Sequence, residues 1–280
     1  MELFIGQLEN LLIAIVSAIL LIFNTSPVNQ NGEKVDTSTM TLTFEDNFDG
    51  DTLNSNIWRA HNSFGVRKGG FWSGEQVSVK DGNLIITTEY KSDGEYGAGW
   101  YTSGISTQDK FEQKYGYFEC RCILPKGEGL WSAFWMTNPN VSKESDDASN
   151  GAEIDVFESP FYYKGNNNWK VTSNLHYSGY SLKTKYKNVG IWELDNNPYE
   201  NFNTYGVLWN EDGYTFYVNG YKVATTDYAV SSSPEYLILS CEVDGTKATA
   251  QSGWSGNIEN NDKNTFKAEF IVDYVRAYSF

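Results

Sequence analysis

From Leu42 onward, apolar and polar residues alternate in short runs broken by Gly, Asn and Asp. The segments "GNLIITTEY", "KYGYFECRCIL", "LWSAFWM", "YTFYVNGYKVATT", "EYLILSCEV" and "FIVDYVRAYSF" are rich in β-branched and aromatic residues. Such residues suit a half-buried pleated surface, so each segment predicts a strand. Asn219-Gly220 between two of these runs predicts a two-residue hairpin turn. No stretch after the N-terminus carries an amphipathic 3.6-residue period. The pattern predicts an all-β domain of two packed antiparallel sheets, a sandwich or jelly roll.

The first thirty residues differ. Residues 11–23 form an apolar run broken only by Ser17. At ~1.5 Å per residue, the run is about 20 Å long as a helix, short of a ~30 Å hydrocarbon core. Residues 1–28 are therefore expected to be a secretory signal, with a retained membrane anchor or a misassigned start as alternatives. Glu2 and Glu9 precede the run without a Lys or Arg, and "FNTSPV" lacks a small-x-small cleavage site. The polar, aperiodic stretch 29–40 reads as a linker, which leaves 41–280 as the folded domain. A secreted or cell-surface protein is the corresponding expectation, in membrane contact only if the segment is retained.

Composition narrows the partners. The net charge of −15 argues against nucleic acid, whose phosphates it would repel. It also disfavours a polyanionic substrate, unless a local basic patch overrides the total. Aromatic residues reach 16 % of the chain, more than a core of this size calls for, so several are expected to face solvent or flat sugar faces. Cys120 and Cys122 share a strand face, where bonding to each other would demand poor geometry. Three buried thiols are expected, with a bond from one of them to Cys241 as the alternative.

The segment "GAEIDVFESP" carries the candidate chemistry. In a strand, Glu153 and Asp155 share a face and Glu158 falls on the other. A solvated acidic face or calcium ligation is the plain interpretation. However, Ile154, Val156 and Phe157 anchor the strand in a core, and two like charges on one face destabilise each other unless something uses them. A β-bulge at Val156-Phe157 would return Glu158 to the face of its partners. Two Glu flanking an Asp could then cleave a glycosidic bond with retention, which needs a nucleophilic carboxylate and a carboxylic acid ~5–5.5 Å apart. Asp155 would orient or share a proton with Glu153. Spacing alone does not decide which Glu attacks.

"EIDVFE" resembles the E-x-D-x-x-E signature of glycoside hydrolase family 16. "GISTQDKFEQKYGYFECRCILPKGEGLWSAFWM" is similar to the stretch before that signature in laminarinase-like members. "FEDNFDG", "VKDGNLII" and "IVDYVRAY" resemble the family's first, early and last strands, so the resemblance spans 42–280. It implies a jelly roll with a concave sheet forming an open cleft and a retaining endo-acting mechanism. Glu153 would be the nucleophile, Asp155 its assistant and Glu158 the acid/base. The bulged signature sides with laminarinases and with agar- and carrageenan-cleaving branches rather than with lichenases. β-1,3-Glucan is the expected substrate, with mixed-linkage glucan or a galactan, transglycosylation, or carbohydrate binding without catalysis as alternatives. Two positions depart from the laminarinase pattern, Ser132 in place of Pro and "DDASNGAEID" in place of a Trp-Pro, so a different minus-side wall is expected.

The resemblance also implies cleft residues. Trp131 would stack on sugar, Trp135 would face cleft or core, and His176 would lie near the acid/base. Trp254 would be a movable aromatic at the rim, and Trp72 and Glu75 would form the opposite wall. No cofactor is required. A structural calcium would take Asn47, the turn at Gly82 and Asp273, oxygen ligands of the kind calcium accepts. The polysaccharide is the expected partner and the chain is expected to be a monomer.

Overall fold

The computed structural model describes residues 25–61, 66–163, 168–245 and 254–280. The apolar run at 11–23, with the secretion or anchoring expected of it, lies outside the described residues. Among the described residues, no helix is long and apolar enough to cross a membrane.

The segments expected as strands form strands, and the domain is built from two sheets of eight and eleven strands. Most pairings are antiparallel; Thr25–Pro27 on Lys185–Glu193, and Gly70–Trp72 on Gly97–Thr102, are parallel. The 219–220 turn has positive φ at both central residues, 52° and 78°, which glycine tolerates without cost and which matches the twist of its strands. Between the sheets lies a single apolar core that includes Phe118, Phe134, Phe157, Tyr205 and Phe270. All three cysteines are buried and free, so the bond to Cys241 does not form.

The stretch 29–40 is not a free linker, a correction to the compositional reading. Val35 N donates to Gly220 O at 2.9 Å and Lys222 N to Glu33 O at 2.8 Å, which fastens it to the 219–220 hairpin. Hydrogen bonds from a neighbouring edge order a segment whose composition carries no signal of its own.

The eight-stranded sheet bears the cleft. Its central neighbours run Lys185–Glu193, Lys170–Tyr177, Glu153–Glu158, Leu130–Thr137 and Tyr236–Val243. Two strands, Lys170–Tyr177 and Lys185–Glu193, are rich in polar residues and break the apolar alternation expected of a strand. Thr172, Asn174, His176, Tyr186 and Asn188 on these strands line the cleft.

Candidate active site

The geometry of the Glu153–Glu158 strand follows from where its side chains can be solvated. Val156 and Phe157 are both apolar, and both belong to the core. Strict alternation would leave one of them on the cleft side, or drive Glu158 into the core, where a carboxylate has no partner. A bulge removes the conflict. Asp155 pairs with Asn174 and Glu158 with Thr172, so Val156 and Phe157 together face the single residue Ser173. On the other side, Phe134 pairs with Phe157 and Trp135 with Asp155, with the register shift at the same place. Phe157 packs its ring 4.3 Å from that of Tyr205. Burying it stabilises the fold by about 1.5–3 kcal/mol. The consequence is that Glu153, Asp155 and Glu158 all line one cleft of about 1170 Å³.

Each acid has a distinct setting. Glu158 is buried, with Oε1 accepting from Trp131 Nε1 at 2.9 Å and Oε2 accepting from the Asn174 amide. Burial first, and the Asp155 charge second, raise its pKa well above the ordinary carboxyl value; the Asn174 bond pulls the other way. Asp155 is buried too, and burial followed by the Glu153 charge raises it well above its ordinary value. His176 Nε2 stands 3.4 Å from Asp155 Oδ2. Glu153 is half-buried and accepts from Tyr180 Oη at 2.5 Å. Each of Glu153, Asp155 and His176 offers a ligand-capable atom within 4.8 Å of the others.

The predicted lining divides into residues that reach the cleft and residues that do not. Trp131, Trp135, His176 and Trp254 line it. Trp254 stands edge-on to Trp131 with ring centres 4.6 Å apart, and Trp135 donates to Ser240 Oγ at 3.1 Å. Trp72 does not form a cleft wall. It is buried, its indole donates to Cys241 O at 3.0 Å, and it packs beneath Arg67. A Gly-flanked Trp in a chain this aromatic has filled core space. Glu75 also lies elsewhere, on the other sheet, paired with Lys91 at 3.2 Å beside Glu89 and Glu95. Ser132, one of the departures from the laminarinase pattern, faces away from the cleft and shares a 2.6 Å hydrogen bond with Ser159. The substitution at this position therefore leaves the cleft wall untouched.

Asn47 and the Gly82 turn flank the last strand near Asp273. The side-chain oxygens of Asn47 and Asp273 are already engaged. Arg121 pairs with the Asp273 carboxylate, and Arg276 donates to Asn47 Oδ1 at 3.2 Å. Positive charge is already supplied there by two guanidinium groups.

Several lining residues carry no sequence expectation. Asn174 holds Glu158 and is itself held by Asn188, which donates to Asn174 Oδ1 at 2.8 Å and to Thr172 Oγ1 at 2.7 Å. Asn174 sits two residues before His176, and that strand spacing was a signal for a shared face. Tyr186 stacks on His176 with ring centres 5.8 Å apart. At the other end, Arg67 pairs with buried Glu242 at 2.8 Å, and Lys68 lies 5.2 Å over the Trp131 ring. Nothing in the local sequence of these residues separates them from ordinary surface positions.

A two-sheet β domain whose cleft is floored by three acids and walled by tryptophans has the form of a polysaccharide-binding hydrolase. The chain belongs to glycoside hydrolase family 16: the family model for the GH16 domain of β-porphyranases A–D matches residues 39–280. It is similar to the endo-1,3-1,4-β-glycanase ExsH of Rhizobium meliloti, 29 % identical over 272 residues that cover 88 % of this chain and 53 % of that protein. It is also similar to glucan endo-1,3-β-glucosidase A1 of Niallia circulans, 27 % identical over 271 residues that cover 85 % of this chain and 38 % of that one. The chain thus spans about half the length, or less, of these relatives. Among solved structures, the laminarinase catalytic domain of Thermotoga petrophila superposes with a TM-score of 0.68 at 25 % identity, covering 86 % of this chain and 98 % of that one. The endo-β-1,3-glucanase of Pyrococcus furiosus gives 0.70 at 25 %, covering 90 % and 99 %.

Proposed function

We propose that this domain is a retaining endo-β-glycosidase that cleaves β-1,3-linked glucan by double displacement. The observation that carries the reading is the bulge at Val156-Phe157, which gathers three acids in one cleft. Glu158, kept protonated by burial, donates its proton to the glycosidic oxygen as the bond breaks. Glu153 attacks the anomeric carbon from the opposite face and forms a glycosyl ester. Glu158, now ionised, removes a proton from water, which attacks the same carbon and releases Glu153. Asp155 shares a proton with Glu153 and so stabilises whichever charge state the step requires. Trp131 and Trp135 supply flat faces for sugar rings. Two relatives named for endo-1,3-glucan cleavage support the choice of substrate.

Incubation with laminarin tests the reading. Wild type should release reducing ends and Glu153→Gln should release none. Equal inertness of both, with binding retained, would mark a carbohydrate-binding module instead. Chain lengthening with added acceptor would mark a transglycosylase.

One observation favours a second substrate class. Lys68 sets a cation over Trp131 in a chain of net charge −15, while the neighbouring Arg67 is paired with buried Glu242. A local cation at the cleft rim suits an acidic substituent, as on a sulfated galactan. The match to a porphyranase-type family model points the same way. Digestion of laminarin, lichenan, agarose and carrageenan side by side separates the two readings.

Export through the N-terminal segment, and action as a monomer outside the cell, belong to the same proposal. A secreted location suits a domain whose substrate is an external polymer. Mass and N-terminal sequence of the protein recovered from culture medium test it.

A further inference from the structure

We infer that Tyr180 is a positioning residue for Glu153, delivered to it by a clasp between two loops; this rests on Glu153 being the nucleophile. Tyr180 lies in the connection between Lys170–Tyr177 and Lys185–Glu193. Its ring is 63 % exposed, an unusual setting for an aromatic side chain in a loop. Its hydroxyl reaches inward, however, and donates to Glu153 Oε2 at 2.5 Å. Burial of that hydroxyl, then the Glu153 charge, raise the phenol far above its ordinary pKa, so it remains a donor throughout the working range.

The loop is built to hold that position. Gly179 N donates to Val141 O at 2.8 Å, and Ser145 N donates to Ser178 Oγ at 3.1 Å. Gly179 has φ +80°, where a side chain would strain the turn. Lys183 pairs with Glu144 at 2.6 Å and Lys185 with Asp146 at 2.9 Å. The polar stretch before the acidic strand and the loop after the next strand are thus joined over Glu153. The arrangement has a chemical consequence. A carboxylate that attacks through one oxygen must hold the other still. Tyr180 fixes Oε2 and leaves Oε1 to face the anomeric carbon. The bond also favours the ionised carboxylate, which the first step requires and the second regenerates.

The other titratable groups facing Glu153 are Asp155 and Glu158 on its own strand, His176 on the next and Tyr236 across the sheet. Tyr180→Phe removes the donor and leaves these in place. The variant should lose roughly 10- to 100-fold in kcat on laminarin, the range of a hydrogen bond to a charged group, with KM within about twofold. The melting midpoint should move by no more than about 4 °C, because only the hydroxyl's bond is lost from a largely exposed residue. A rise in KM with unchanged kcat would make Tyr180 a sugar contact and overturn the inference. So would a wild-type kcat. Glu153→Gln is measured alongside. If it is inactive while Tyr180→Phe behaves as wild type, only this inference fails. If Glu153→Gln stays active, the nucleophile assignment itself fails.

Discussion

The indole Nε1 of Trp131 donates to Oε1 of Glu158 at 2.9 Å. The residue expected to stack on sugar is therefore also a tether on the proposed acid. The two roles can be separated. Trp131→Phe keeps a flat ring and removes the donor. It should lower kcat about tenfold while KM changes by less than about threefold. A KM effect alone, in steady-state assays on laminarin, would leave stacking as its whole contribution.

The Asn188–Asn174–Glu158 relay makes a graded pair of variants. Asn174 bonds Glu158 directly and opposes its raised pKa. Asn174→Ala should raise that pKa further, so the basic limb of the pH–rate profile moves to higher pH while the maximal rate falls roughly 10- to 100-fold. Asn188→Ala loosens Asn174 only, and should move both quantities in the same direction by less. A larger effect at Asn188 than at Asn174 would show that the relay does not act through Glu158.

The strand pattern was legible because the core imposes it. Phe134, Leu237, Leu239, Phe270 and Val272 fall at every second position within their strands, and every one of them is buried. The catalytic strand was legible for a related reason: Val156 and Phe157 side by side are incompatible with strict alternation beside three acids. Trp72 and Glu75 were misjudged because a Trp followed by an acid two or three residues on reads alike in a cleft wall and in a core edge. Asn174, Asn188 and Tyr180 had no such signature. Their roles depend on which strands become neighbours, and polar strands carry little local information about pairing.

Buried Glu235 supplies a stability test away from the chemistry. Its Oε1 accepts from Ser231 Oγ at 2.6 Å and from the Ala152 amide at 3.2 Å, just before Glu153. Burial, the largest influence, raises its pKa to about 8. The unfolded chain releases this proton near pH 4.5, the native protein near 8, so between those values the native state binds more protons. The stability from the neutral carboxyl is complete below about pH 4.5 and is lost as pH rises through 8, an effect on the order of a few kcal/mol. Glu235→Gln cannot ionise, so its melting midpoint should gain on wild type as pH rises from 5 to 8. Parallel melting curves across that range would refute the assignment.

The arginines at Asp273 and Asn47 lead to an expectation about calcium. Arg121 already pairs with the Asp273 carboxylate, and Arg276 already occupies the Asn47 amide oxygen. Chelator should therefore move the melting midpoint by less than about 2 °C, and added calcium should not raise it. A shift of many degrees, restored by calcium, would show a site that displaces those guanidinium groups.

The bulge at Val156-Phe157 gathers the proposed nucleophile and acid on one face, and the stereochemical signature of that pair is retention. Proton NMR of the new reducing end, followed from the first minutes of laminarin digestion, measures this directly. Release of the β-anomer first, with the α-anomer growing in only by mutarotation, is the predicted result. An α-anomer appearing first would contradict the account.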